Sequence, residues 1–467
     1  MKTQIICFTI GFIVLFASCT GELDQQPITS KVSTVFYSSE AEIEEAVNGV
    51  YAGLQSNGLY GRYMVAAGEI QSDETYDEVP ANDSGDFGKL DDFTANSILG
   101  SIGSIWQDSY VAVQRANVVL NRIDDVSFND EAVKNARIGE MKFIRALVYF
   151  NLVRLYGDVP LVTQETTDPN SYFGQGRTSK DLVYNQIIQD LTEAESLLPA
   201  SAGREGKVIK TATQALLGKV FMTLGDWSDA KIWLDRVKNS NVHELVPLTD
   251  VFDINKEANK EIIFSVQFAS GINGNSEGSS MYQNYSPTGI ISGAKGHNLP
   301  TKSLYELYTQ EDLRMGTYID ITSGGVPYSL KLKANLSVPA DGGSNVVVLR
   351  YADVLLMLAE VENELGNTAA AVSCLNQVRV RAGLSETAAS TQNEVREAVD
   401  LERRLELVCE GHRWFDLLRT GRAIEVMNKW FADEHILITI DAHHLLLPVP
   451  LSQINTDPSI KQNPGYE

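Results

Sequence analysis

Apolar residues recur at helical spacing over most of the chain, and that pattern predicts a mostly α fold. Ile43, Ala46, Val47, Val50 and Leu54 form one stripe, with Ser38 or Ser39 as cap and acidic residues in the first turns. Trp106, Tyr110, Val113, Asn117 and Leu120 form another, which turns Trp106 inward. Ile138, Met141, Ile144, Ala146, Tyr149, Leu152 and Leu155 form a third, ended by Gly157 ahead of Pro160. A further helix is expected over residues 177–198, capped by Thr178 or Ser179 and followed by Pro199. Near the end, Leu401, Leu405 and Val408 make a stripe beside Glu402, Glu406 and Glu410, which stand four apart. Gly411 is expected to close that helix, and residues 412–419 read as a second short one carrying Trp414, Phe415, Leu417 and Leu418.

Two segments repeat a pattern. Leu217-Gly218, Phe221, Gly225, Trp227 and Ala230 stand at tetratricopeptide offsets, and Leu358-Ala359, Glu362, Gly366, Thr368 and Ala371 occupy the corresponding places. Small residues let paired helices approach, and glycine at the turn permits a left-handed conformation. Residues 106–157 and a pair centred on Glu402 are degenerate copies, so the expectation is an array of about four helix pairs. A few short strands, such as EIIFSVQF, interrupt it.

Periodicity lapses over residues 57–103 and 271–300, which are rich in Gly, Ser, Asp, Asn and Tyr. Neither insertion has an apolar face to fill a core, so both are expected to carry function. Tyrosine beside Asp and Asn suits a sugar, whose C–H faces stack on rings and whose hydroxyls need polar partners. Tyr76, Tyr282 and Tyr285 are the expected stacking platforms, with Asp73, Asn82 and Asn284 as hydroxyl partners; Tyr60, Tyr63 and Phe93 are their alternates. A helical-scaffold glycoside hydrolase is an alternative, with Asp73, Glu74, Asp86 and Asp91 as its available carboxyl groups. A protein-interaction scaffold without a small ligand is another. No nucleophile-elbow, HExxH or phosphate-loop motif is present, and no cofactor is expected. No metal is assigned: Asp91-Asp92 is a calcium alternative, while His443-His444 lacks a spaced third ligand.

A formal charge of −23 and 467 residues point to a globular chain that nucleic acid and anionic membrane surfaces repel. At the N-terminus, Lys2 precedes an apolar run from Ile5 to Ala17, too short to span a bilayer, so residues 1–18 read as a signal peptide. Phe16, Ala17 and Ser18 before Cys19 resemble a lipobox, which makes Cys19 the expected lipidation site; cleavage elsewhere is the alternative. Residues 19–36 are then a tether and 37–467 one domain. Cys374 and Cys409 fall among apolar residues and read as buried thiols, their bridging left open. Glu402, Glu406 and Glu410 repel one another and need cations; they read as an ion-paired brace with Arg379 and Arg381 as partners and Arg403, Arg404, Arg413, Arg419 and Arg422 nearby. A metal or acid/base cluster is the less favoured reading, since no histidine stands at ligand spacing.

ERRLELVCEGHRWFDLLRTGR resembles the C-terminal signature of the SusD/RagB family, outer-membrane glycan-binding lipoproteins of Bacteroidetes. Leu23-Asp24, Pro27, Phe36 and AVNGVYAGL resemble the family's opening, and GEMKFIRALVYFNLVRLYGDVPLV is similar to it as well. So do LYELYTQEDLRMGTYI, which looks like the family's helix ending in Asp312-Leu313-Arg314, the Leu-Pro-Val-Pro run and the ending from Gln462 to Tyr466. The resemblance implies four tetratricopeptide-like pairs, an acylated Cys19 at the cell surface, and capture of oligosaccharide for a SusC-type TonB-dependent transporter. It supports the loops as the binding location and names neither the glycan nor single binding positions.

Overall fold

The computed structural model describes residues 37–466 apart from 169, 202–205, 272–276 and 334–337. The expected signal peptide, Cys19 and the tether 19–36 lie outside them. The long helices are α1 (Glu40–Gly53), α2 (Gly100–Arg122), α3 (Glu131–Tyr156), α4 (Lys180–Leu197), α5 (Lys210–Leu224), α6 (Trp227–Asn239), α7 (Tyr351–Glu364), α8 (Thr368–Arg381) and α9 (Gln392–Leu407), followed by α10 (Arg413–Arg419) and α11 (Ala423–Asp433). From α1 to α9 each packs on the one before it, and α9 also lies on α7. The fold is thus the expected mostly α, tetratricopeptide-like array.

Ser39 caps α1, and Thr391 with Glu394 forms a capping box on α9, supplying acceptors for N–H groups that a helix start leaves bare. Within the α5/α6 pair, a Cβ on Gly218 would come within 2.5 Å of Leu234, so the contact needs a residue without one. Gly225 and Gly366 end α5 and the α7 turn at φ of 75° and 82°, the left-handed region that the repeat pattern anticipates. The helix over 177–198, set outside the repeats by its sequence, packs as α4 between α3 and α5 and belongs to the array.

Among the described residues, six short strands, β1 (Thr75–Tyr76), β2 (Ile262–Val266), β3 (Leu299–Pro300), β4 (Ile319–Ile321), β5 (Pro327–Ser329) and β6 (Val346–Arg350), pair antiparallel as β1–β3, β2–β6 and β4–β5. β2–β6 closes the array beside α5, and β6 runs directly into α7. One core follows the helices, while Phe93, Trp414, Leu417, Met427 and Phe431 form a smaller one under α10 and α11.

Three expectations need correction. Helix α9 stops at Leu407, with Cys409 at φ 61° and Gly411 at φ 79°, so Glu410 is off the helix that carries Glu402 and Glu406. Of LYELYTQEDLRMGTYI only Leu304 and Tyr305 are helical, at the end of the turn Lys302–Tyr305, after which Arg314 turns inward to meet glutamates. Residues 57–103 contribute to the core: Leu59, Tyr60, Tyr63, Met64, Val65, Ile70, Phe87 and Leu90 are all buried. Short turns bury side chains without any period, provided their backbone groups find partners nearby.

Candidate functional site

The two insertions are fastened to each other by backbone pairing and by a buried histidine. β1 from the first pairs with β3 from the second, with Thr75 opposite Pro300 and Tyr76 opposite Leu299. Beyond the strands, Glu78 N–H donates to Gly296 O at 2.8 Å and Thr288 N–H donates to the Glu78 carboxylate at 2.8 Å. His297 lies between Asp77 and Asp83, its Nδ1 3.0 Å from Asp77 Oδ1 and its Nε2 2.9 Å from Asp83 Oδ2. Its ring stacks on Phe87 with centroids 4.0 Å apart. Arg62 and Lys295 also pair with Asp83, which sits in the left-handed region at φ 50°. Burial raises the Asp83 carboxyl, but hydrogen bonds from His297 and Lys295 outweigh it and hold the group below its ordinary range.

On this frame the predicted binding residues separate into two groups. Tyr76 on β1 and Asn82 are half-buried, so each keeps a solvent-facing part; Asn82 Nδ2 donates to Lys295 O at 2.9 Å. Burial raises the Tyr76 phenol, with Glu78 and Asp91 adding to it. Tyr285, by contrast, is 4% exposed, donates its hydroxyl to Arg62 O at 2.7 Å and meets Phe87 edge-on. Asn284 is buried and donates to Ser280 Oγ at 3.0 Å. Asp73 is buried between Arg413 at 2.8 Å and Arg404 at 2.9 Å, whose charges keep it ionised against the pull of burial. These three are therefore framework: their polar atoms are already engaged and no ring face is left open. Tyr282 is also buried; the Tyr328 phenol is raised by burial and by Asp320, with Tyr282 adding to it.

The alternates are core residues too. Tyr60 accepts from Asn151, Tyr63 donates to Asp86, and Phe93 packs against Trp414 and Phe431. Tyr328, which is not among the residues expected from the sequence, is half-buried on β5, and β5 lies against β3. Its hydroxyl donates to Asp320 Oδ2 at 3.3 Å. The signal for it was the turn Gly324-Gly325 ahead of Val326-Pro327-Tyr328, a hairpin pattern ending in an aromatic. β3 thus has Tyr76 on one neighbouring strand and Tyr328 on the other.

The carboxyl groups considered for hydrolysis each have an internal partner. Glu74 pairs with Arg404 at 3.0 Å, Asp86 accepts from Tyr63 and from Ser101 N–H, and Asp91 accepts from Asp77 N–H. Asp92 turns to Thr94, so Asp91 and Asp92 do not converge on a common point for calcium.

The C-terminal glutamates form a buried ion-pair network. Glu402 meets Arg314 at 2.7 Å and Arg379 at 3.0 Å; Glu406 meets Arg314, Arg350 and Arg381; Glu410 meets Arg350 at 2.7 Å and Lys331 at 2.6 Å. Burial opposes ionisation of Glu406, but Arg381, Arg350 and Arg314 overcome it and hold the carboxyl at about 2. Arg379 and Arg381 are partners, as expected, while Arg314, Arg350 and Lys331 come from distant segments that no local spacing could connect. Arg403 serves Asp353 and Asp416 instead. Cys374 and Cys409 are separate, free, buried thiols.

Comparison with known proteins matches both ends of the chain. A sequence model of the SusD family matches residues 329–466, and one described as starch-binding associating with outer membrane matches residues 23–222. A SusD-like protein of Formosa agariphila is 28% identical over 537 aligned residues, covering 100% of both chains. A SusD-like protein of Bacteroides ovatus is 23% identical, covering 90% of this chain and 82% of its own. Among solved structures, a laminarin-binding SusD-like protein is similar with TM-score 0.80 and 28% identity, over 92% of this chain and 100% of that one. Surface glycan-binding protein A from Bacteroides thetaiotaomicron shares the fold at TM-score 0.80 and 21% identity, with the same coverage. With the first insertion inside one matched stretch, the glutamate network's C-terminal half inside the other, and relatives aligned along the whole length, the chain belongs to the SusD/RagB family.

Proposed function

We propose that the protein is a cell-surface glycan-binding lipoprotein, anchored in the outer membrane through acylated Cys19, which captures oligosaccharide and delivers it to a SusC-type TonB-dependent transporter. The observation that carries the ligand site is the β1–β3 pairing, which joins two insertions distant in sequence and leaves Tyr76 half-exposed at the seam. Tyr76 and Tyr328 are the stacking faces, Tyr282 backs Tyr328, and Asn82 faces the sugar hydroxyls. Asp73, Asn284 and Tyr285 hold the seam from beneath. The name of the laminarin-binding relative supports a glucan as the first ligand to try. Membership in the family supports the outer-membrane location and the transporter as partner.

The test is calorimetry against a polysaccharide panel that begins with laminarin, followed by a Tyr76→Ala, Tyr328→Ala double variant. Stacking on an aromatic is worth roughly 1 kcal/mol or more beyond burial, so losing both faces should weaken binding about tenfold or more. Circular dichroism should match the parent, because both side chains reach the surface. Parent-like affinity in the double variant would place the ligand elsewhere.

A further inference from the structure

We propose that Asp441, His443 and His444 form a binding site for a late first-row divalent metal ion, with Zn2+ as its type. His443 and His444 occupy a single-turn 3-10 helix, Ala442–Leu445, and Asp441 caps it, its side chain accepting from His443 N–H at 3.0 Å. That tight turn folds a residue and those two and three positions on toward one side, which supplies the third ligand that the His443-His444 doublet lacks in the sequence. The His443 Nδ1 lies 2.5 Å from Asp441 Oδ1, the His444 Nδ1 lies 3.4 Å from the same oxygen, and all the ligand atoms fall within 4.8 Å of one another.

Each of the two nitrogens makes a hydrogen bond that a metal would replace. Asp441 N–H donates to His444 Nδ1 at 3.1 Å, so this nitrogen is unprotonated and its one lone pair is held in that hydrogen bond. Ligation there would exchange that one hydrogen bond for a metal bond. At His443 an ion would replace the hydrogen shared with the Asp441 carboxylate. Bonds of about 2.0 to 2.2 Å at tetrahedral angles put ligand atoms about 3.3 Å apart, so the 3.4 Å contact already fits and the 2.5 Å contact must open by under ~1 Å.

The rings are held from outside the turn. Tyr466 meets His443 edge-on at 5.4 Å and Phe93 meets His444 edge-on at 5.9 Å. A Cβ on Gly465 would come within 2.5 Å of His443, so the C-terminal chain lies directly against that ring. The Asp441 side chain is exposed, which leaves the remaining coordination positions open to water. Charge distinguishes this cluster from the acids elsewhere. Glu402, Glu406 and Glu410 are filled by guanidinium and ammonium groups, whereas among the described residues the ion-pair partners of Asp441 are the two imidazoles alone. Two imidazoles and one carboxylate suit zinc, copper or nickel, while calcium and magnesium prefer all-oxygen shells.

The test is titration of the untagged full chain, stripped with chelator, with Zn2+ and separately with Ca2+. About one equivalent of Zn2+ should bind, with no matching Ca2+ signal. A His443→Ala, His444→Ala double variant should weaken binding at least tenfold, and Asp441→Asn should weaken it as well. Copper-loaded parent should show nitrogen hyperfine coupling from two imidazoles in its electron paramagnetic resonance spectrum, a readout that needs no variant to fold. Absence of the zinc equivalent in the parent, undiminished binding in the double variant, Ca2+ binding equal to Zn2+, or a copper spectrum without imidazole nitrogen would each overturn the proposal.

Discussion

Asp91 shows how strongly a single half-buried group can set the pH response of this protein. Burial pushes its carboxyl up to about 8; Asp77 N–H donates to it and lowers the value somewhat, while the charges of Asp77 and Asp92 raise it. The folded pKa therefore lies above the unfolded value near 3.9, so the folded state holds a proton that the unfolded state has released. Stability from this site is complete at pH below about 4 and declines as pH rises toward 8. Glu69, raised to about 8, and Glu74, raised to about 7, act in the same direction, burial being the first cause in each. Asp91→Asn keeps an acceptor for Asp77 N–H and carries no charge. Relative to the parent, the variant should gain roughly 2 to 4 kcal/mol between pH 5 and pH 8, about 1.4 kcal/mol per unit at most. Urea melts of both proteins at the two pH values would check this; curves that stay parallel would show that Asp91 ionises normally.

Among the elements, the helices were legible in the sequence and the insertions were not. The stripe through Trp106, Tyr110 and Val113 placed Trp106 inward, and it is 2% exposed. Repeat spacing likewise identified Gly218, Gly225 and Gly366 with their roles. At Gly218 the role is close packing, since a Cβ would meet Leu234 at 2.5 Å. Gly218→Val should therefore cost about 1 to 3 kcal/mol through overpacking of α5 against α6, read as a lower urea midpoint with the slope unchanged. An unaltered midpoint would mean that the pair has slack the packing does not show. The segment from Leu59 to Leu90 defeated periodicity because its burial rests on turns, not on a repeating face. Tyr63 and Tyr285 are covered there while Tyr76 is half-exposed, a distinction that depends on β1 meeting β3 across more than 200 residues. The glutamate network was readable on its own helix, and Arg379 and Arg381 were within local reach. Arg314, Arg350 and Lys331 arrive through tertiary contacts, so charge balance could demand them without naming them.

On the scale of the whole molecule, a formal charge of −23 surrounds whatever site the insertions build. The local field has the same sign: Tyr76 has Glu78 and Asp91 near its phenol, and Tyr328 has Asp320. A neutral glycan neither gains nor loses Coulomb energy in that field, whereas a carboxylated or sulfated polysaccharide is repelled by both the local groups and the net charge. Screening shortens the range of the repulsion to about 10 Å at 0.1 M salt and about 3 Å at 1 M. For the proposed ligand site, two titrations follow. Affinity for a neutral glucan should change less than about twofold between 50 and 500 mM NaCl, because stacking and hydrogen bonding carry it. A polyanionic glycan should bind more weakly at low salt and improve as salt rises. Tighter polyanion binding at 50 mM, or a tenfold loss of neutral-glucan affinity at 500 mM, would mean that a cationic surface takes the ligand and that the Tyr76 seam does not.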